Sequence, residues 1–323
     1  MSLIFEALQR VESERTGSTE ATSATATEIL RRVEEQARAQ HNVASLADGT
    51  EASRGFQQGR NFSSPGLLTS LGQSASENVA ADQIDLKDCR SLPMRFPFHN
   101  RLVALADRES PAAEAFRLLG VRLRHLRRER VVKTLLICSP SPQEGKSMIS
   151  ANLACTIAAA SRQNVLLIEG DIRRPSLGDL FQLDPHPGLC QYLEGEHSLT
   201  DCIYRLEEAG LYFLPASTSS DSHSELIQSS PLPHMLEQLR ASFQWIIIDS
   251  PPILPLADTS IWTRLADSIV LVTRNGITEK QKLQRGIEAL DESKLVGAIV
   301  NSATSSTQED YYYYYRSRSE RPD

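Results

Sequence analysis

The segment from Thr134 to Ala160 reads TLLICSPSPQEGKSMISANLACTIAAA, and three kinds of structure follow one another in it. TLLICS is a short, continuously apolar run, the pattern of a strand covered on both faces. SPSPQEGKS is rich in turn residues, and MISANLACTIAAA has the length and composition of a buried helix. A strand running through a Gly-Lys-Ser loop into a helix is the setting that a phosphate-binding loop requires. Gly145 permits the tight turn, Lys146 can reach β- and γ-phosphates, and Ser147 can place its hydroxyl on Mg²⁺. The helix start adds backbone N–H donors from Glu144 to Met148, with Pro142 and Gln143 completing the loop. Pro140 stands where the pattern G-x-x-x-x-G-K-[ST] has its first glycine. The alternative is an ordinary strand–helix turn.

The same alternation continues outward. NVLLIEGD, LYFLPA, WIIIDSPP, DSIVLVTR and LVGAIVN are further short apolar runs, each separated by roughly a helix of sequence. Together they predict an α/β fold: a P-loop NTPase-like, mostly parallel sheet with helices on both faces. Upstream, SPAAEAFRLLGVRLRHLRRER predicts a helix capped by Ser110, with Pro111 in its first turn and Glu114 at the positive end of its dipole. RLVAL (Arg101–Leu105) predicts a short strand. The basic run Arg122–Arg130 reads as a solvated face, with anionic lipid or a protein neighbour as alternative contacts.

Two strand ends carry acids. WIIID ends in Asp249 before Ser-Pro-Pro, the usual place of a carboxylate that holds Mg²⁺ through water. VLLIEGDIRRP ends in Glu169 and Asp171, which project to one side if the segment stays extended and then converge on one metal or nucleophile. Taken singly, the acid at either strand end could merely cap a βα-loop.

The termini differ from this body. Residues 16 to about 90 are rich in Ser, Thr, Ala, Gln and Glu, and 1–99 read as a mostly disordered region. A docking helix near 3–14 presents Leu3, Ile4, Ala7, Leu8 and Val11 on one face, and Glu28–Arg38 is a second helical segment. Residues 100–305 form the nucleotide-binding domain, and 306–323 a flexible tail. The chain of 323 residues has 34 Lys and Arg against 41 Asp and Glu, a net −7, which argues against nucleic acid as a partner. No apolar run approaches the ~18 residues that span a bilayer, and the start does not read as a secretion signal, so a cytoplasmic protein is expected. Five cysteines without C-x-x-C spacing read as inert thiols, and the seven histidines show no ligand spacing.

These motifs together resemble the bacterial tyrosine kinases (BY-kinases), polysaccharide-associated protein kinases built on phosphate-loop ATPase machinery. Their second acidic motif reads L-[IV]-D-x-D-x-R-x-P and stands here as LIEGDIRRP: Asp171, Arg173 and Pro175 match, and Glu169 replaces the first Asp. The resemblance covers residues 100 to 315. It implies ATP and Mg²⁺ as cofactors, with Lys146, Asp171, Glu169 and Asp249 catalytic and Ser147, Asp249 and Asp171 near the metal. It also implies that Asn301 contacts adenine, and that Glu114 and Arg117 of an E-x-x-R motif mediate homo-oligomerisation, although the third basic position is Gly120. Tyr311, Tyr312, Tyr313, Tyr314 and Tyr315 match the family's autophosphorylation cluster. The ten residues from Asn301 to Tyr311 span at most ~35 Å, so modification in cis is within reach, while the resemblance favours transfer between molecules. The implied function is an ATP-dependent protein-tyrosine autokinase of exopolysaccharide or capsule synthesis or export. It would act on protein tyrosines, recruited to the inner membrane face by a separate membrane activator of the polysaccharide chain-length type. The alternative is an ATPase switch of the partition or division-site type that assembles or localises a membrane complex. That branch carries a lysine four residues before the loop glycine, where Ser141 stands here.

Overall fold

The computed structural model describes residues 84–94, 101–161, 163–184, 186–217, 226–227, 231–254 and 258–302. In chain order its elements begin with strand β1 (Arg90–Leu92), helices α1 (Val103–Ala106) and α2 (Pro111–Glu129), strand β2 (Thr134–Cys138) and helix α3 (Lys146–Ala160). Strand β3 (Val165–Glu169) leads to the short helices α4 (Leu177–Leu180), α5 (Leu189–Leu193) and α6 (Leu199–Cys202). Strands β4 (Tyr204–Leu206) and β5 (Leu211–Leu214), helix α7 (Leu232–Ser242) and strand β6 (Trp245–Asp249) follow. Helix α8 (Asp258–Leu265), strand β7 (Ser268–Arg274), helix α9 (Lys280–Glu288) and strand β8 (Leu295–Asn301) complete the body.

The eight strands lie in the order β1-β4-β5-β3-β6-β2-β7-β8. Every pairing is parallel except β4 with β5. All five residues of β2, β3 and β6 are buried, which explains their unbroken apolar runs. Successive residues still face opposite layers. Leu136, Leu166, Ile168, Ile246 and Ile248 meet Leu232, Met235, Leu239, Trp262 and Ile287 on one face. Leu135, Ile137, Val165, Leu167 and Ile247 meet Ile149, Leu153 and Ile157 of α3 on the other. Helix α3 is buried nearly all round because α2 covers its outer side: Gly120 lies against Thr156 and Ile157.

Helix α2 starts as its sequence predicts, with the Ser110 hydroxyl accepting from the Ala113 N–H at 3.2 Å and Pro111 in the first turn. Its basic run is not wholly solvated, however. The Arg127 guanidinium stands 4.9 Å over the Trp245 ring, and Arg130 donates to the Ser293 carbonyl.

Two expectations are corrected. RLVAL does not form a strand: α1 takes its place, held by Asn152, whose amide donates to the Arg101 carbonyl and accepts from the Ala104 N–H at 3.0 Å. Residues 84–94 fall inside the span read as disordered, yet they belong to the body. They supply an edge strand, bury Cys89, Leu92 and Met94, and tie the Ile84 N–H to the Ser242 hydroxyl. Those few apolar side chains find cover on β4 and α7, and a composition average over the whole segment hides them. The segments 3–14 and 28–38 and the tyrosine cluster lie outside the described residues. All five cysteines are buried and unpaired, with burial pushing each thiol above its usual range. Among the described residues no helix is long and apolar enough to cross a membrane.

Candidate active site

Parallel pairing brings the carboxyl ends of the central strands level: Asp249 of β6 lies in register with Ile137 of β2 and with Glu169 of β3. In an open parallel sheet, this edge is where loops meet a ligand. A cleft of about 1460 Å³ opens there, lined by Pro142, Gln143, Gly145, Lys146, Ser147, Met148, Asp171 and Asn301 among others. Seven of the eight loop and strand-end positions expected to hold nucleotide therefore line one cavity. The eighth, Glu144, turns its side chain inward and is 1% exposed.

That inward turn braces the loop. The Glu144 carboxylate accepts from the Thr278 hydroxyl at 2.6 Å and from the Ser141 N–H at 3.0 Å. Its carbonyl accepts from the Asn301 amide at 2.9 Å, and Arg274 donates to the Gln143 carbonyl. Burial pushes the Glu144 carboxyl above the usual carboxylate range, against the bonds from Thr278 and Ser141. Pro140 packs against Gly286 of α9, where an added Cβ would stand 3.3 Å from its ring. The proline in place of the first glycine thus has a partner built for it.

Gly145 is fixed twice over. It caps α3 at φ +93°, and a Cβ there would lie 2.1 Å from Asn301 Nδ2. Gly145→Ala is expected to displace Asn301 and open the loop, lowering ATP affinity at least ~10-fold by isothermal titration. Unchanged affinity would show that the loop does not need this geometry.

The charged groups meet deeper in. Lys146 Nζ lies 3.1 Å from Asp171 Oδ2, and Asp171 Oδ1 accepts from the Arg174 N–H. Burial opposes the Lys146 charge, but Asp249, Asp171 and Glu169 outweigh it, and the ammonium sits above its usual range. Asp249 is 1% exposed and its Oδ1 accepts from the Ser150 hydroxyl at 3.5 Å, with the Ser147 hydroxyl near enough to favour its charge, yet its Oδ2 is buried with no hydrogen-bond partner. Desolvation raises its carboxyl to about 6 despite Lys146. A buried, orphaned carboxylate oxygen beside a serine hydroxyl fits a divalent cation.

Glu169 and Asp171 do not converge, because the chain leaves the strand at Gly170 and the alternation rule stops applying. The Gly170 N–H bonds to the Asp249 carbonyl at 2.8 Å, and a Cβ there would press on Trp262 at 3.0 Å. Glu169 Oε1 accepts from the N–H groups of Ser176 and Leu177, and Oε2 from that of Ala216. All three donors are backbone. The carboxylate therefore ties the end of β3 to the start of α4 and to the loop after β5, behind the cleft. Burial still pushes it above the usual carboxylate range. Glu169→Gln places an NH₂ donor among N–H donors, and its expected cost is about 2 kcal/mol by thermal denaturation. A variant with unaltered Tm would contradict this tie and leave only a role in chemistry.

Two contacts escaped the sequence reading. Arg173 pairs with Asp258 of α8 at 2.5 Å, which holds the Asp171 loop, and Thr278 braces Glu144. Glu114 and Arg117 do face solvent on α2, but bridge one another at 2.5 Å, with Arg117 also donating to the Arg108 carbonyl.

No protein-family model matches the chain. Tyrosine-protein kinase YwqD of Bacillus subtilis is 33% identical over 202 residues, covering 62% of this chain and 85% of that protein. The chain belongs to the bacterial tyrosine-protein kinases. The succinoglycan biosynthesis transport protein ExoP of Rhizobium meliloti is 32% identical over 64% of this kinase, which spans 27% of that longer protein. The kinase domain of the Escherichia coli tyrosine kinase ETK superposes with a TM-score of 0.61 at 27% identity, over 68% of this chain and 85% of the domain. The alignment with YwqD spans most of that relative, so the family's fold is present nearly whole.

Proposed function

We propose that this kinase is an ATP-dependent protein-tyrosine autokinase of exopolysaccharide or capsule synthesis or export. The observation that carries the reading is the meeting of Lys146 and Ser147 of the phosphate loop with Asp171 and Asp249 from two other segments. Lys146 and the loop amides bind the triphosphate, and Ser147 and Asp249 hold Mg²⁺ with Asp171 nearby. When bound, the ion neutralises charge on the β- and γ-phosphates. Asn301 meets the base; its position on the cleft wall, with its amide bracing the loop, supports this role.

The acceptor phenol has a pKa near ~10 and is poorly ionised at neutral pH. Asp171 orients it and takes its proton as the phenolic oxygen bonds to the γ-phosphorus. The bond between that phosphorus and the β,γ-bridging oxygen breaks, and ADP leaves with the electron pair. Lys146 steadies the charge that develops on the bridging side. Glu169 acts through the backbone it holds. The acceptors are Tyr311 to Tyr315.

Self-association through Glu114 and Arg117, and recruitment to the inner membrane face by a separate chain-length-type activator, belong to the same reading. The relative named for succinoglycan biosynthesis supports the polysaccharide setting. Incubation with ATP and Mg²⁺, followed by mass spectrometry of the C-terminal peptide, is the test. Phosphotyrosine at Tyr311–Tyr315 is the expected result. Released phosphate without phosphotyrosine would instead assign the chain to ATPase switches.

A further inference from the structure

The cleft carries more positive charge than a nucleotide uses. Arg101, Arg122, Lys146, Arg173, Arg174 and Arg274 line it, and Asp171 is the one acid among its described lining residues. A magnesium-bound triphosphate brings only about −2. The chain as a whole is net negative at −7, so this basic concentration is local and opposite in sign.

Two of these arginines stand apart from the rest. Arg173 is held by Asp258, and Arg274 donates to the Gln143 carbonyl. Away from the cleft, Arg117 and Arg240 are paired with Glu114 and Asp267. The guanidinium groups of Arg122, on α2, and Arg174, just beyond Asp171, make no hydrogen bond or ion pair among the described residues. Arg174 is exposed and Arg122 half-buried.

The last described residue, Ser302, itself lines the cleft, so the C-terminal tail departs from its wall. Tyr311 is nine residues further on, a span of at most ~30 Å. Immediately before it stand Glu309 and Asp310. We infer that Arg122 and Arg174 form an acidic-peptide subsite that takes the Glu309–Asp310 carboxylates of the tail and so presents the following tyrosine to the site. The inference rests on the tyrosine-kinase reading and adds what selects the acceptor: a tyrosine preceded by acids. Guanidinium groups suit this task because each offers a planar pair of donors to a carboxylate.

The test reads binding, so that it stands whether or not phosphoryl transfer occurs. The probe is a fluorescent peptide of residues 304–318, compared with the same peptide carrying Glu309→Gln and Asp310→Asn. Both are titrated by anisotropy into the full chain, whose own tail carries the same two substitutions to prevent competition. The native peptide is expected to bind about tenfold more tightly. Introducing Arg122→Gln and Arg174→Gln into the chain is expected to abolish that difference. Equal affinities on the starting chain, or a difference that survives loss of both arginines, would overturn the subsite. Absence of phosphotyrosine in the native chain with MgATP would overturn the kinase reading instead.

Discussion

Lys146→Met is expected to lower phosphotyrosine formation at least ~10²-fold, to below detection in the C-terminal peptide, while the protein still folds. The ammonium lies among three acids, bonded to Asp171 and in the field of Asp249 and Glu169. It is charged at any working pH and lines the cleft. Methionine fills much of the same volume and carries no charge, so both transition-state stabilisation and triphosphate binding go with it. The loss also has a signature in stability. Asp249 is left buried without its cation, which raises its affinity for protons in the folded state. The native state then binds more protons than the unfolded chain, and stability falls as pH rises. The variant's deficit in Tm should therefore be largest near pH 8 and shrink toward pH 5. A deficit independent of pH, or persistent labelling of the purified variant by ATP, would remove Lys146 from the assignment.

Asp249→Asn should do the opposite to stability and the same to function. Asp249 is raised from its ordinary 3.8 to about 6, chiefly by desolvation. Well below pH 3.8 it is neutral in both states. Between pH 4 and 6 the folded state keeps the proton that the unfolded chain releases, so its contribution to stability is lost as pH rises through that window. At neutral pH the free protein carries the full cost of a buried anion. An amide of the same shape avoids that cost, although Lys146 loses a counter-charge, and a net gain of ~1–2 kcal/mol is expected in the absence of Mg²⁺. For a body of this size that is about 3–6 °C in Tm. Mg²⁺-dependent ATP binding should disappear, because the orphaned oxygen is no longer anionic. Calorimetry of both proteins, with and without MgATP, reads all of this. An Asp249→Asn protein that is less stable than its parent, or still stabilised by MgATP, would show that this carboxylate does not serve a metal.

Glu169 shows where motif reading stops. Its position in LIEGDIRRP suggests a second carboxylate beside Asp171, but Gly170 turns the chain and the side chain collects three backbone N–H groups instead. The family's shorter Asp at this position makes the extra methylene meaningful: it gives the carboxylate reach. Glu169→Asp should accordingly also lower the Tm, although it restores the family's acid. Equal Tm values would indicate that the shorter acid spans the same gap.

The local pattern alone determined that Thr134–Ala160 is strand, loop and helix, that the sheet is mostly parallel, and that Gly145, Lys146 and Ser147 form one loop; Asn301 was reached only through the family resemblance. Those conclusions rest on apolar runs and on residues next to one another in the chain, where a strand or a turn is decided by its immediate neighbours. The tertiary structure alone decided that residues 84–94 complete the sheet, that Glu169 faces amides, and that Asp249 keeps a buried oxygen without a partner. It also decided which arginines are engaged. Arg173 meets Asp258 across 85 residues and Thr278 meets Glu144 across 134. Contacts at such separations leave no periodicity in the sequence, because their partners are chosen by how strands and helices stack rather than by what adjoins them.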